Sequence, residues 1–402
     1  MTEDTLHFRT RLAHVGRAAT RSYGLVNPPV SRGSTVLYPD MATRRAVAAK
    51  RMDQNLVYGV NGNPTHWALE NAIAEIEGGT RCQIVSSGLA AVTTPLLAFL
   101  GQGDHCLMPD SVYGPTRSFA GGMMKRMGIE TEFYPPEIDE AGISTRIRPN
   151  TKVVFAESPG SHTFEVQDIP ALACAAHAHG ARLLMDNTWG LHFFQPFAHG
   201  VDVSIQALTK YAGGHSDLLL GAVTVNSEAD WSLLRTGAME LGQYASPDDC
   251  WLALRGLRTL GVRLREQMDS AMLVAHWLRG RPEIAEVLHP ALPGARGHAL
   301  WKRDFTGACS LFGAVLAPQF NVEASMAFVD ALRLFGIGAS WGGFESLILP
   351  TTGNITRTAA TGGFAGPLVR LHIGLEDPAD LIADLEQGLA AMRAFAGGSQ
   401  DR

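Results

Sequence analysis

The sequence predicts an α/β chain: a large, mostly parallel sheet domain followed by a smaller C-terminal α/β domain. Short apolar runs alternate with helix-period stretches between about residues 81 and 225. Long helical periodicity then takes over near Asp248, before short strands return in the last hundred residues. The third observation is size, since 402 residues with 46% hydrophobic and 18% charged side chains can bury a large core, in about two to three domains.

Taken in order, residues 1 to about 60 show little periodicity and contain Asn27-Pro28-Pro29, which reads as an irregular arm with short helices. After Asn63-Pro-Thr, apolar residues Trp67, Ala68, Ala72, Ile73 and Ile76 recur at helical spacing and stop at Gly78-Gly79. Cys82-Gln-Ile-Val85, His105-Cys-Leu-Met108 and Val153-Val-Phe-Ala156 read as buried strands, each preceding a helix, over 88–100, 114–127 and 169–178. Further strands are expected at Leu183-Leu-Met185, 203–208 and 222–225, and two helices at 250–260 and 262–279. A loose Gly/Thr-rich loop is expected at 351–367. In such sheets the chemistry collects at the carboxyl ends of strands.

The net charge of −6, with no Lys/Arg block, argues against nucleic acid or an anionic membrane as partner. Five scattered cysteines without a Cys-x-x-Cys pair read as reduced thiols, so a cytoplasmic protein is expected. No apolar run approaches the ~18 residues of a membrane span, and no histidines have zinc-site spacing, so no metal is expected.

Only five lysines occur among the 33 basic residues. Lys210 follows Val203-Ser-Ile-Gln-Ala-Leu-Thr209, which reads as a buried strand at whose end desolvation would lower the lysine's ordinary pKa of ~10.4 and free the amine as a nucleophile; a lysine snorkelling from a strand end is the plain alternative. Asp186 ends another apolar run, and a buried carboxylate needs a positive partner, such as a pyridinium nitrogen, or serves as a helix cap. Ser86-Ser-Gly-Leu89 fits a strand entering a helix N-terminus, where free N–H groups attract a phosphate. Tyr113 can stack on a flat ring or fill the core. Alternation in Leu368-Val-Arg-Leu-His-Ile373 puts Arg370 opposite the apolar face, free for a substrate carboxylate or a surface ion pair.

Six ordered stretches carry a resemblance: Asp186-Asn-Thr-Trp189, Ser204-Ile-Gln-Ala-Leu-Thr-Lys-Tyr-Ala-Gly-Gly-His-Ser-Asp217, Arg255-Gly-Leu-Arg-Thr-Leu-Gly-Val-Arg-Leu-Arg265, Lys302-Arg-Asp-Phe-Thr-Gly307, Ser340-Trp-Gly-Gly-Phe-Glu345 and Arg370-Leu-His-Ile-Gly-Leu-Glu-Asp377. From about Leu12 to Met392 the chain resembles the Cys/Met-metabolism family of pyridoxal 5'-phosphate (PLP) enzymes, and within it the β-lyases that cleave L-cystathionine. The resemblance implies the aspartate-aminotransferase-like fold (PLP-dependent transferase fold type I). It also implies an arm (1–60) reaching a neighbouring subunit, a PLP-binding domain (61–255) and a C-terminal domain (256–402). Lys210 would be joined to the cofactor aldehyde, Asp186 would hold the pyridine nitrogen, and Tyr113 would stack on the ring. Gly88, the Leu89 backbone and Thr209 would bind the phosphate, with Tyr58 reaching it from a second subunit. Ser340 and Arg370 would hold the substrate carboxylate, and Trp341 would shape the pocket. Lys210, Tyr113 and Tyr58 would be the catalytic set. A homo-oligomer follows, at least a dimer and usually a tetramer, acting on a small amino-acid substrate in methionine biosynthesis.

One position departs from the family. Where an arginine usually clamps the phosphate, two residues after the tyrosine, this chain has Val60, and Arg44, Arg45 or Arg51 would have to compensate. Losing that charge-assisted contact is worth about 1.5–3 kcal/mol of cofactor retention. The apolar Ala339 before Ser340 favours β- over γ-elimination, because γ-acting relatives often place an acid there. A γ-acting relative or a non-catalytic PLP-fold binding protein are the alternatives.

Overall fold

The computed structural model describes residues 6–17, 23–360 and 363–398. Seven strands form the first sheet: β1 (Arg81–Val85), β2 (His105–Pro109), β3 (Glu130–Tyr134), β4 (Thr151–Glu157), β5 (Arg182–Asp186), β6 (Val203–Gln206) and β7 (Gly221–Val225). Their spatial order is β1-β7-β6-β5-β4-β2-β3. Only β7 runs antiparallel to its neighbours. The central strands are buried along nearly their whole length, so β2 and β4 read largely as apolar runs, while Ser204 and Gln206 of β6 are buried with hydrogen bonds to Glu77.

A second sheet holds β8 (Ile284–Leu288), β9 (Leu311–Leu316), β10 (Gly336–Ile337), β11 (Leu347–Pro350) and β12 (Leu368–His372), in the order β10-β11-β12-β9-β8. All its pairs are antiparallel except β10 with β11.

Three elements differ from expectation. The helices expected at 250–260 and 262–279 are one helix, Pro247–Arg279, of 33 residues. Glycine costs about 1 kcal/mol in a helix interior, and Gly261 does not break this one because apolar residues pack on both sides of it. Leu254, Leu257, Leu260 and Leu264 join the core of the first sheet; Ala271, Val274, Ala275 and Leu278 join that of the second. The helix expected at 114–127 is α-helical over Gly114–Phe119 and widens to π geometry over Ala120–Met124, where two adjacent glycines lie. Strand β3 has no counterpart in the expectations. As an edge strand it is largely solvent-accessible and carries Glu130 and Glu132, so no apolar run marks it.

In the arm, short helices Phe8–His14 and Met41–Ala48 interrupt irregular chain. Among the described residues no helix is long and apolar enough to cross a membrane.

Candidate active site

The carboxyl ends of β4, β5 and β6 open on a cavity of about 590 Å³. Lys210, Asp186, Tyr113, Gly88, Leu89, Thr209, Ser340, Trp341 and Arg370 all line it. Tyr58 does not; its side chain is 51% exposed elsewhere on the chain.

Lys210 lies just beyond β6, and its Nζ donates to Ser340 Oγ at 2.7 Å. The ammonium also sits 5.5 Å from the centroid of Trp341. Burial, with the Arg370 charge adding to it, lowers the lysine pKa to about 8, against the opposing pull of Asp186. The other four lysines are exposed. Residues 340–342 reach Lys210 in unusual backbone geometry, with Ser340 at φ 86° and Gly342 at φ 88°. A Cβ at Gly342 would stand 2.6 Å from the Tyr211 nitrogen, so only glycine lets the two backbones meet. His372, on β12, accepts from the Gly342 N–H at 3.1 Å. Arg370 donates to the Ser340 carbonyl at 3.2 Å. One strand therefore fixes both the loop and the guanidinium.

Asp186 ends β5. Its Oδ1 accepts from the Thr188 N–H (3.0 Å) and hydroxyl (2.6 Å), while Oδ2 takes no hydrogen bond from a described group. Burial raises its pKa, against these bonds and the Lys210 charge. Thr188 Oγ1 in turn accepts from the Ala207 N–H at 2.9 Å, tying β5 to the chain after β6. Glu157 ends β4 directly beside Asp186 and accepts from the Tyr113 N–H at 2.7 Å. Burial, then the Asp186 charge, pushes its pKa up to about 8.

The third wall is the N-terminus of helix Gly88–Phe99, capped by Ser87, whose hydroxyl accepts from the Ala90 N–H at 3.1 Å. The N–H groups of Gly88 and Leu89 donate to no described group, so they and the helix dipole are free for an anion in the cavity that both residues line. A Cβ at Gly88 would meet Ala207 at 2.7 Å. Thr209 Oγ1 accepts from the Leu220 N–H at 3.0 Å.

Residues 9–390 match the Cys/Met metabolism PLP-dependent enzyme family. The chain belongs to that family. It is 52% identical, over 96% of both chains, to a protein of Rhizobium johnstonii provisionally named cystathionine β-lyase. It is 43% identical to the cystathionine β-lyase MetC of Escherichia coli, over 95% of this chain and 98% of that one. The crystal structure of metB from Corynebacterium glutamicum superposes with a TM-score of 0.88 at 30% identity, covering 97% of this chain and 99% of the other. The expected fold type and the PLP cofactor stand with these matches.

The residues present fit the cofactor. A desolvated amine, a buried carboxylate with one uncommitted oxygen, and unpaired N–H groups at a helix N-terminus supply the aldehyde, nitrogen and phosphate partners it needs. Val60 lies outside the cavity, as do Arg44, Arg45 and Arg51, all exposed. Sequence reasoning missed Glu157, Thr188 and His162. Glu157 carried the signal that singled out Asp186, a carboxylate at the end of a buried apolar run.

Proposed function

We propose that the chain is a PLP-dependent carbon–sulfur β-lyase that cleaves L-cystathionine, and other cysteine S-conjugates, to a thiol, pyruvate and ammonia. The observation that carries this reading is the meeting of Lys210, Ser340 and Arg370 at one mouth of the cavity, beside the names borne by its relatives. When bound, the cofactor supplies an electron sink for the pair left at Cα. The chain's own groups do the rest. Arg370 and Ser340 hold the substrate carboxylate and so orient the Cα–H bond. Lys210, whose pKa burial lowers to about 8, would take the Cα proton at Nζ. Asp186 keeps a proton on the pyridine nitrogen. Cleavage of the Cβ–S bond would then expel the thiolate, which takes a proton from Lys210 Nζ to leave as the thiol, and water would hydrolyse the remaining three-carbon fragment to pyruvate and ammonia.

Pyruvate is expected as the keto product from L-cystathionine, measured with lactate dehydrogenase. 2-Oxobutyrate as the main product would replace this reading with γ-elimination. Ala339, lining the cavity beside Ser340, offers no carboxylate to a γ-acting site.

The proposal includes a cytoplasmic homo-oligomer, at least a dimer and as a tetramer in the family's usual form, with the arm at 1–60 and domains at 61–255 and 256–402. It makes Tyr58, exposed in one chain, a group that completes the cavity of a second copy. Coexpressing a Tyr58→Phe chain with a Lys210→Ala chain should then restore activity to about a quarter of wild type, since half of randomly paired dimers hold one intact site. Activity no higher than that of the two variants assayed separately would show that Tyr58 does not act across subunits.

A further inference from the structure

We propose that His162 is a specificity-determining residue, hydrogen-bonding the carboxylate at the far, leaving-group end of the substrate. The inference rests on the lyase reading above and extends it to the half of the substrate beyond the sulfur.

His162 sits at the tip of a tight turn after β4, in the left-handed region at φ 64°; Phe164 is also left-handed at φ 57°. A non-glycine residue held there costs energy and marks a place where surrounding structure dictates the conformation. The turn is braced: the Gly160 N–H donates to Glu165 O and the Ser161 N–H to Ser111 O, both at 2.9 Å. The imidazole Nδ1 is buried and hydrogen-bonds to no described group. A buried ring nitrogen without a partner is uncommon in a folded chain.

The side chain lies on the wall shared by the active cavity and an outer cavity of about 740 Å³. Arg370, the proposed grip on the near carboxylate, is close enough to help lower the imidazole pKa to about 4, with burial the main cause. The ring is therefore neutral at working pH and has one N–H to give. The outer wall is cationic on balance. Arg117 pairs with Asp110 and Arg357 with Glu165, while Arg126 has no described carboxylate partner. Asp110 is further occupied by the N–H groups of Thr358, Ala359 and Ala360. A thiol that carries a second carboxylate matches this setting; an S-alkyl group does not.

The test compares L-cystathionine with S-methyl-L-cysteine, which shares the reacting half and lacks the far carboxylate. In His162→Gly, which removes the ring without backbone strain, the ratio of the two kcat/KM values should fall roughly 10- to 100-fold, with the loss in KM for cystathionine. His162→Asn, whose side chain tolerates the left-handed region and keeps an N–H donor, should recover part of the ratio. An unchanged ratio in both variants overturns the inference alone. Wild-type enzyme that releases pyruvate from neither substrate overturns the lyase reading, and the inference with it.

Discussion

Replacing Lys210 by Ala should abolish pyruvate formation, with kcat lowered by at least about 10³-fold, within the range one positioned acid–base group commands. Nζ serves two purposes in this cavity. In the proposed reaction it would be the amine that takes up the cofactor aldehyde and the base for the Cα proton, beside Ser340, its hydrogen-bond partner at 2.7 Å. No other lysine can stand in, because the remaining four are on the surface. The substitution should leave the far-ultraviolet circular dichroism unchanged, since the surrounding strands β5 to β7 are held by their own ladders. It should also abolish the visible absorbance of lysine-bound cofactor. Turnover retained at the wild-type rate would remove Lys210 from the mechanism.

Asp186→Asn is the second large effect, an expected loss of about 10²- to 10³-fold in kcat, the scale of removing one preplaced electrostatic group at a reacting centre. An amide cannot balance a protonated pyridine nitrogen. The same change reaches two neighbours. The Asp186 charge, after burial, holds the Glu157 carboxyl up to about 8. It also supports the Lys210 ammonium against burial. Both pKa values should fall in the variant. The consequence for stability has a definite sign. An unperturbed glutamate loses its proton near 4.5, whereas Glu157 keeps it to about 8. The native protein thus binds the extra proton in that window, and its stability falls as pH rises through it. In cofactor-free Asp186→Asn the upper edge of the window moves down, so the decline ends at lower pH. Urea unfolding across the window measures this; identical pH profiles for variant and wild type would show that the two carboxyls do not share their charge environment.

Strand-end chemistry was legible from sequence because burial is a local signal. Asp186 ends the buried strand β5 and Lys210 follows the buried strand β6, where a charge has little solvent to hide in. The capped helix start at Ser87-Gly88 was legible for the same reason, since capping involves only residues within one turn. Glu157 carries the same mark, since β4 extends through the glutamate as β5 extends through Asp186.

What the sequence by itself determined was the kind of chemistry and the alternation of elements, both of which follow from short-range patterns of apolar and polar residues. What only the tertiary structure decided was adjacency. Ser340 meets a lysine 130 residues away because Gly342 lets two backbones touch and β12 anchors the loop. The left-handed turn that turns His162 into the wall of the cavity, and the single 33-residue helix that joins two cores, are likewise products of long-range packing. No local spacing encodes those contacts, since their stabilisation comes from segments that are distant in the chain.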